Sequence, residues 1–326
     1  MPEIQFREAL RQAMWEEMER DENVFLMGEE VGQYNGAYKV SEGMLAHFGE
    51  RRVFDTPISE AGFSGLGIGA AMTGLRPIIE FMSWSFSLVC MDQLMNNAAN
   101  IRYMSGGQFK VPIVFRGGNG IAHQLAATHS HRVEAMFSRV PGLIVVAPST
   151  PYDAKGLLKT SIRCDDPVIF LESEMMLNDR GEVPTEEYLL PIGVADIKRP
   201  GDDVTILCWS KTVKTCLNAA NQMAEQEQIN AEVIDLRTLR PLDEQTIIES
   251  VRKTHRLLIV DEDWTYCGMG AGILAQLQEK IFDDLDAPIK RVASEDVPVP
   301  FNHHLEIAMQ PSVDKIVSAV KEICYK

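Results

Sequence analysis

The side chains in this sequence that could do chemistry are carboxylates and imidazoles, and the first of note is Glu60, which ends the stretch DTPISE. It stands where an apolar run, RRVFDTPI, gives way to a helical pattern, and strand ends in open α/β sheets are where ligands usually bind. Two readings fit it: a helix-start acid stabilised by the dipole, or a buried acid that needs a partner. Glu29 and Glu30, in GEEV, close a neighbouring apolar run and by themselves pass for surface acids. His129 and His131, in THSHR, are two residues apart and cannot share a helix face, so they make a poor metal pair. A single loop histidine there could donate a proton or could simply be structural. His303 and His304, in FNHHLE, have less context still. No H-E-x-x-H, G-x-S-x-G or Cys/His nucleophile pattern occurs.

These residues need a scaffold, and the apolar patterning supplies one. NVFLMGEEV, RRVFDTPI, RPIIEFMS, VPIVFRGG, LIVVAPS and PVIFLESE read as buried strands bounded by turn residues. Helical patterns fall between them at 60–73, 86–103 and after Pro151, where Ser149 or Thr150 can cap. Strands alternating with helices predict an α/β fold with a mainly parallel sheet. The glycines of GFSGLGIGAAMTG do not have dinucleotide-loop spacing; they read as a helix thinned so that another backbone can approach closely. Residues 178–201 break the rhythm with Pro, Gly and charge, which puts a domain boundary near residue 190. A second, smaller α/β domain follows, over 191–326.

Composition excludes several classes. The net charge of -16, from 47 acids against 31 bases, opposes binding to phosphate backbones. No apolar run approaches the roughly 20 residues of a membrane span. Six scattered cysteines without a C-x-x-C pair read as reduced and mostly structural. The amino-terminal stretch reads as a strand tip leading into an amphipathic helix, without a targeting segment. A cytoplasmic protein is the expectation, with the mitochondrial matrix the location if the chain is an already processed form.

Taken together, GEEVGQYNGAYKVSEGM, RRVFDTPISEAGFSGLGIGAAMTGLRPIIEFM, MDQLMNNAANIRYMSGGQFKVPIVFRG, HSHRVEAMFSRVPGLIVVAPSTPYDAKGLL, VIDLRTLRPLD and DVPVPF resemble the E1 β subunits of 2-oxo acid dehydrogenase complexes, nearest to the pyruvate branch. The resemblance runs in order from about residue 3 to the last helix. It implies a transketolase-like pyrimidine-binding domain over 1–190 and a transketolase C-terminal domain over 191–326. It also implies thiamine diphosphate shared with an E1 α subunit in an α2β2 heterotetramer. The diphosphate and Mg2+ would sit on a GDG-type motif of the α subunit; this chain has no such motif. The activity implied is decarboxylation of pyruvate and transfer of the acetyl group to lipoyl-E2. A branched-chain 2-oxo acid, acetoin, or a non-catalytic scaffold stands as the alternative.

By matching position, the resemblance implies that Glu60 hydrogen-bonds the aminopyrimidine ring and favours the tautomer that removes the thiazolium C2 proton. Glu29 would line the same pocket, and Ile58 and Phe86 would pack on the ring. His129 would serve proton transfer and reductive acetylation of the lipoyl group, while His131 has no implied role. Val89 departs from a polar residue in mammalian-type subunits. Backbone carbonyls at Ile113, Ser161, Ile162, Cys164 and Asp166 would hold a structural potassium ion, and Asp286 would receive the basic subunit-binding domain of E2.

Overall fold

The computed structural model describes residues 1–326, which form two compact units. The first comprises Met1–Ala122 and Thr128–Ile192; the second comprises His123–Ala127 and Gly193–Lys326. The excursion of five residues from one unit into the other has no sign in the sequence.

The first unit opens with β1 (Glu3–Gln5), which pairs antiparallel with β8 (Arg180–Glu182). Its main sheet contains β2 (Val24–Gly28), β3 (Val53–Asp55), β4 (Arg76–Phe81), β5 (Val114–Asn119), β6 (Ile144–Val146) and β7 (Val168–Ser173). They lie side by side in the order β6-β7-β5-β4-β2-β3, every pair parallel. All six carboxyl ends therefore meet one edge of the sheet. The chain runs from β2 out to β3 and then returns past β2 to β4, a reversal of strand order of the kind that opens a ligand crevice. Close packing at this edge demands glycine at position 28, where a Cβ would lie 2.5 Å from the carbonyl oxygen of Glu80.

Helix Phe6–Arg20 buries Phe6, Ala9, Leu10, Ala13, Met14 and Met18 in the same apolar cluster as Ala154, Leu157, Leu158 and Ile162 of helix Pro151–Arg163. Thr150 caps the latter by accepting from the Asp153 amide at 3.1 Å, and Pro151 sits in its first turn. The glycine-rich stretch does form a helix, Glu60–Met72. Residues 86–103, expected as one helix, differ. A 3-10 turn (Trp84–Cys90) leads to a π turn (Gln93–Ala98) and then a short α-helix (Ile101–Met104). Local polar side chains bond the backbone there and compete with a regular helix: Ser87 donates to the Trp84 carbonyl at 2.7 Å and Asn100 to that of Met95 at 2.8 Å.

The second unit contains β9 (Asp196–Arg199), β10 (Val204–Cys208), β11 (Ala231–Asp235), the short β12 (Thr238–Arg240), β13 (Leu257–Trp264) and β14 (Lys290–Ser294). Five of them form a sheet in the order β14-β13-β10-β11-β9, parallel except for the antiparallel edge strand β9. Helices Thr212–Gln226 and Val313–Ile323 close its core through Cys216, Ala219, Met223, Ile316 and Val320. All six cysteines are free. No helix is long and apolar enough to cross a membrane.

Candidate active site

The carboxyl edge of the first sheet gathers the candidate residues. Glu29 directly follows β2, Glu60 follows β3 after a four-residue turn and begins its helix, Phe86 follows β4, and His129 follows β5. Glu60 is 8% exposed and Glu29 6%. Burial pushes the Glu29 carboxyl up to about 7, and the negative charge of Glu60 adds to the rise. Its buried Oε1 has no hydrogen-bond partner. Two buried acids close enough to feel each other, one with an orphaned oxygen, are a costly arrangement that a donor-bearing ligand relieves.

Asp55, at the end of β3, positions the loop that carries Glu29. Its carboxylate accepts from the amides of Gly32 at 2.6 Å and Gln33 at 2.9 Å, and so fixes the turn that starts at Glu29. Ser41, fully buried, anchors the same loop by donating to the Val31 carbonyl at 2.7 Å. Both were missed in the sequence, where Asp55 differs from other acids only in ending an apolar run.

Glu29 also makes a test by pH. A carboxyl whose folded pKa is raised keeps its proton in the folded state while the unfolded chain loses it. Below the ordinary value of 4.5 there is no difference; as pH rises from there to about 7, stability falls. Urea titrations of the unliganded chain should show that decline, and Glu29→Gln should flatten it. An unchanged slope in the variant would assign the pH dependence elsewhere.

His129 is exposed. Its ring meets Phe86 edge to face at 5.3 Å, and its Nδ1 pairs with the Thr128 hydroxyl at 2.9 Å. Behind it lies Glu174, whose carboxyl is raised by burial, with a bond to Tyr38 and the charge of His129 pulling the other way. Neither Glu174 nor Tyr38 stood out in the sequence, since they lie far from His129 along the chain. His131 differs from His129: burial, and then the charge of Arg132, lowers its pKa, and its Nδ1 is buried without a partner. Ile58 is 85% exposed and Val89 68%, so these apolar side chains stand free on the surface of the unit.

A buried ionic group stiffens the sheet beneath. Arg116 on β5 bonds Glu80 on β4 and, through two nitrogens, Glu172 on β7. Burial opposes its charge, but the two carboxylates outweigh that and raise its pKa.

Four of the five carbonyls expected to hold potassium already accept a hydrogen bond. Arg76 donates to those of Ile162 at 2.9 Å and of Cys164, while Ser161 accepts from the Cys164 amide and Ile113 from the Val168 amide. A potassium ion would share two of its oxygens with a guanidinium that also pairs with Asp165, and like-charge repulsion opposes it. Asp166 pairs with Arg102. In the second unit, Asp286 is exposed, with Arg256 3.8 Å from its carboxylate.

Known proteins resemble this chain over nearly its whole length. Residues 2–180 match the family described as transketolase, pyrimidine binding domain, and residues 193–316 match transketolase, C-terminal domain. The chain is 53% identical over 323 residues to a Rickettsia felis protein named pyruvate dehydrogenase E1 component subunit beta, covering 99% of each. It is 50% identical to the mitochondrial subunit beta-1 of Arabidopsis thaliana over 99% of this chain and 90% of that one. Among solved structures it resembles a split gene transketolase, an inactive β4 tetramer, with a TM-score of 0.79 and 22% identity over 99% of this chain and 98% of the other; this likeness concerns the fold. The chain belongs to the family of pyruvate dehydrogenase E1 component β subunits.

Proposed function

We propose that this chain supplies the aminopyrimidine-binding half of an active site that decarboxylates pyruvate and passes the acetyl group to a lipoyl group on E2. The other half comes from an α subunit that grips the diphosphate and its Mg2+. Thiamine diphosphate comes with the family; when bound, it provides the electron sink on which the 2-oxo acid is cleaved. The observation that supports the reading best is the buried pair Glu29 and Glu60 at the carboxyl edge of the sheet. Glu60 can hold a proton on, or take it from, a ring nitrogen in a dry setting. Glu29, poised near neutrality, can accept from an amino group with the oxygen that otherwise has no partner. Ile58 offers exposed apolar surface for a flat ring, and Phe86 orients the His129 imidazole.

Substrate choice is tested with the chain reconstituted with an α chain that carries a GDG-type motif. Turnover on pyruvate should exceed that on 3-methyl-2-oxobutanoate; the reverse preference would move the chain to the branched-chain type. The isolated chain should bind the cofactor poorly, because it has no cradle for the diphosphate.

His129, exposed and held against Phe86, is placed to serve the acceptor step. His129→Ala should slow transfer to a lipoyl domain by about 10²-fold, while decarboxylation followed with an artificial electron acceptor persists. Equal loss in both assays would assign His129 to decarboxylation instead. Asp286 is our candidate for docking the basic subunit-binding domain of E2. Its replacement by Asn should weaken that complex and reduce its salt dependence without changing decarboxylation.

A further inference from the structure

We propose that His123, His303 and Glu306 form a binding site for a divalent transition-metal ion of the Zn2+ type. The three residues offer ligand atoms that all lie within 4.8 Å of one another, and all belong to the second unit. The rings of His123 and His303 meet edge to face at 5.2 Å, and His303 Nδ1 lies 3.9 Å from Glu306 Oε2.

The placement has local causes. Asn302 caps helix His303–Ala308, its side chain accepting from the amides of His304 at 3.0 Å and Leu305 at 3.2 Å. That cap starts the helix at His303, so His303 and Glu306 fall three residues apart and share a face. Glu306 is 2% exposed, and its Oε1 accepts from the Gln124 amide at 3.0 Å. The carboxylate therefore already ties the 123–127 segment to the helix. This leaves Oε2 facing His303 and brings His123 alongside.

Two imidazoles and a carboxylate are the donor set of borderline ions; Ca2+ and Mg2+ prefer all-oxygen shells. Tetrahedral Zn2+ with bonds of about 2.0–2.1 Å holds its ligand atoms about 3.3 Å apart. The existing spacing closes to that by small rotations of the exposed His123 and His303 side chains. Three protein ligands leave the fourth position to water, and the ion would neutralise a buried carboxylate. It would also restrain the segment that leads along the chain into His129. His303 and His123 are 180 residues apart in sequence, so no motif could announce the site.

The test uses the full-length chain without a polyhistidine tag, stripped with a chelator and titrated with Zn2+ and then Co2+. One Zn2+ per chain should bind and raise the unfolding temperature. His123→Ala and His303→Ala should each weaken binding by at least about tenfold, as losing a ligand costs no less than losing its supporting partner. The double variant should bind none, and His304→Ala should bind as the parent does. All three positions are exposed, and circular dichroism checks that the variants fold. Absence of binding to the parent chain would overturn the assignment. So would equal binding by the double variant, loss on His304→Ala, or a Co2+–thiolate absorption band that places the ion on a cysteine such as the exposed Cys267.

Discussion

Glu60→Gln, assembled with a competent α chain, should bind thiamine diphosphate and lose turnover by about 10²–10⁴-fold, the range for removing a positioned acid or base. The substitution keeps the shape and the hydrogen-bonding capacity of the side chain but cannot exchange a proton with a ring nitrogen. The helix Glu60–Met72 begins at this residue, and with Glu60 8% exposed there is little water to substitute for it. Removing the charge also removes one of the two influences that raise the Glu29 carboxyl. The Glu29 pKa should therefore fall back toward its ordinary value, readable by NMR on the unliganded chain. Full turnover in the variant, with the cofactor bound, would end the proposed role. A fallen Glu29 pKa with full turnover would retain the electrostatic coupling and reject the catalysis.

Arg116→Met should destabilise the first unit by about 3–5 kcal/mol, the cost of removing one partner from a buried ionic group. Arg116, Glu80 and Glu172 are each less than 5% exposed and sit on adjacent strands of the parallel sheet. Burial already raises the Glu80 carboxyl, against the pull of Arg116. Without the guanidinium, two acids would be left facing each other in the core. They would take up protons, so the loss should be larger at pH 8 than at pH 5 when measured by urea unfolding. The triple change with Glu80→Leu and Glu172→Leu should recover most of the stability, since apolar replacement of a whole buried ionic group is often near neutral. No pH dependence in Arg116→Met would mean that water reaches the two acids.

Much of the fold was legible because parallel strands buried on both faces must be continuous apolar runs. VFLM, PIIEF, IVFRG and VIFLES could be read without a partner in view. The break-up of the helix expected over 86–103 was not legible in full: the segment opens on a 3-10 turn whose buried Trp84 donates to the Phe170 carbonyl of β7 at 3.3 Å, a contact far along the chain. The edge strand β9 was missed for a similar reason: it contains Asp196, Lys198 and Arg199, and pairing with β11 outweighs their weak strand propensity.

For the site, local sequence determined that Glu60 begins a helix and that Glu29 follows directly on a strand, because both positions follow from the rhythm of apolar and polar residues. That the two acids share a dry space was decided by tertiary structure. Only the parallel pairing of β2 with β3 brings their carboxyl ends to one edge, where burial and mutual repulsion raise the Glu29 pKa. The same holds for Arg116 with Glu80 and Glu172, and for His123 with His303 and Glu306. Composition sets how many charges a chain has. Which of them lose water and meet each other depends on strand order and helix capping across long sequence separations, and that is where their chemistry is set.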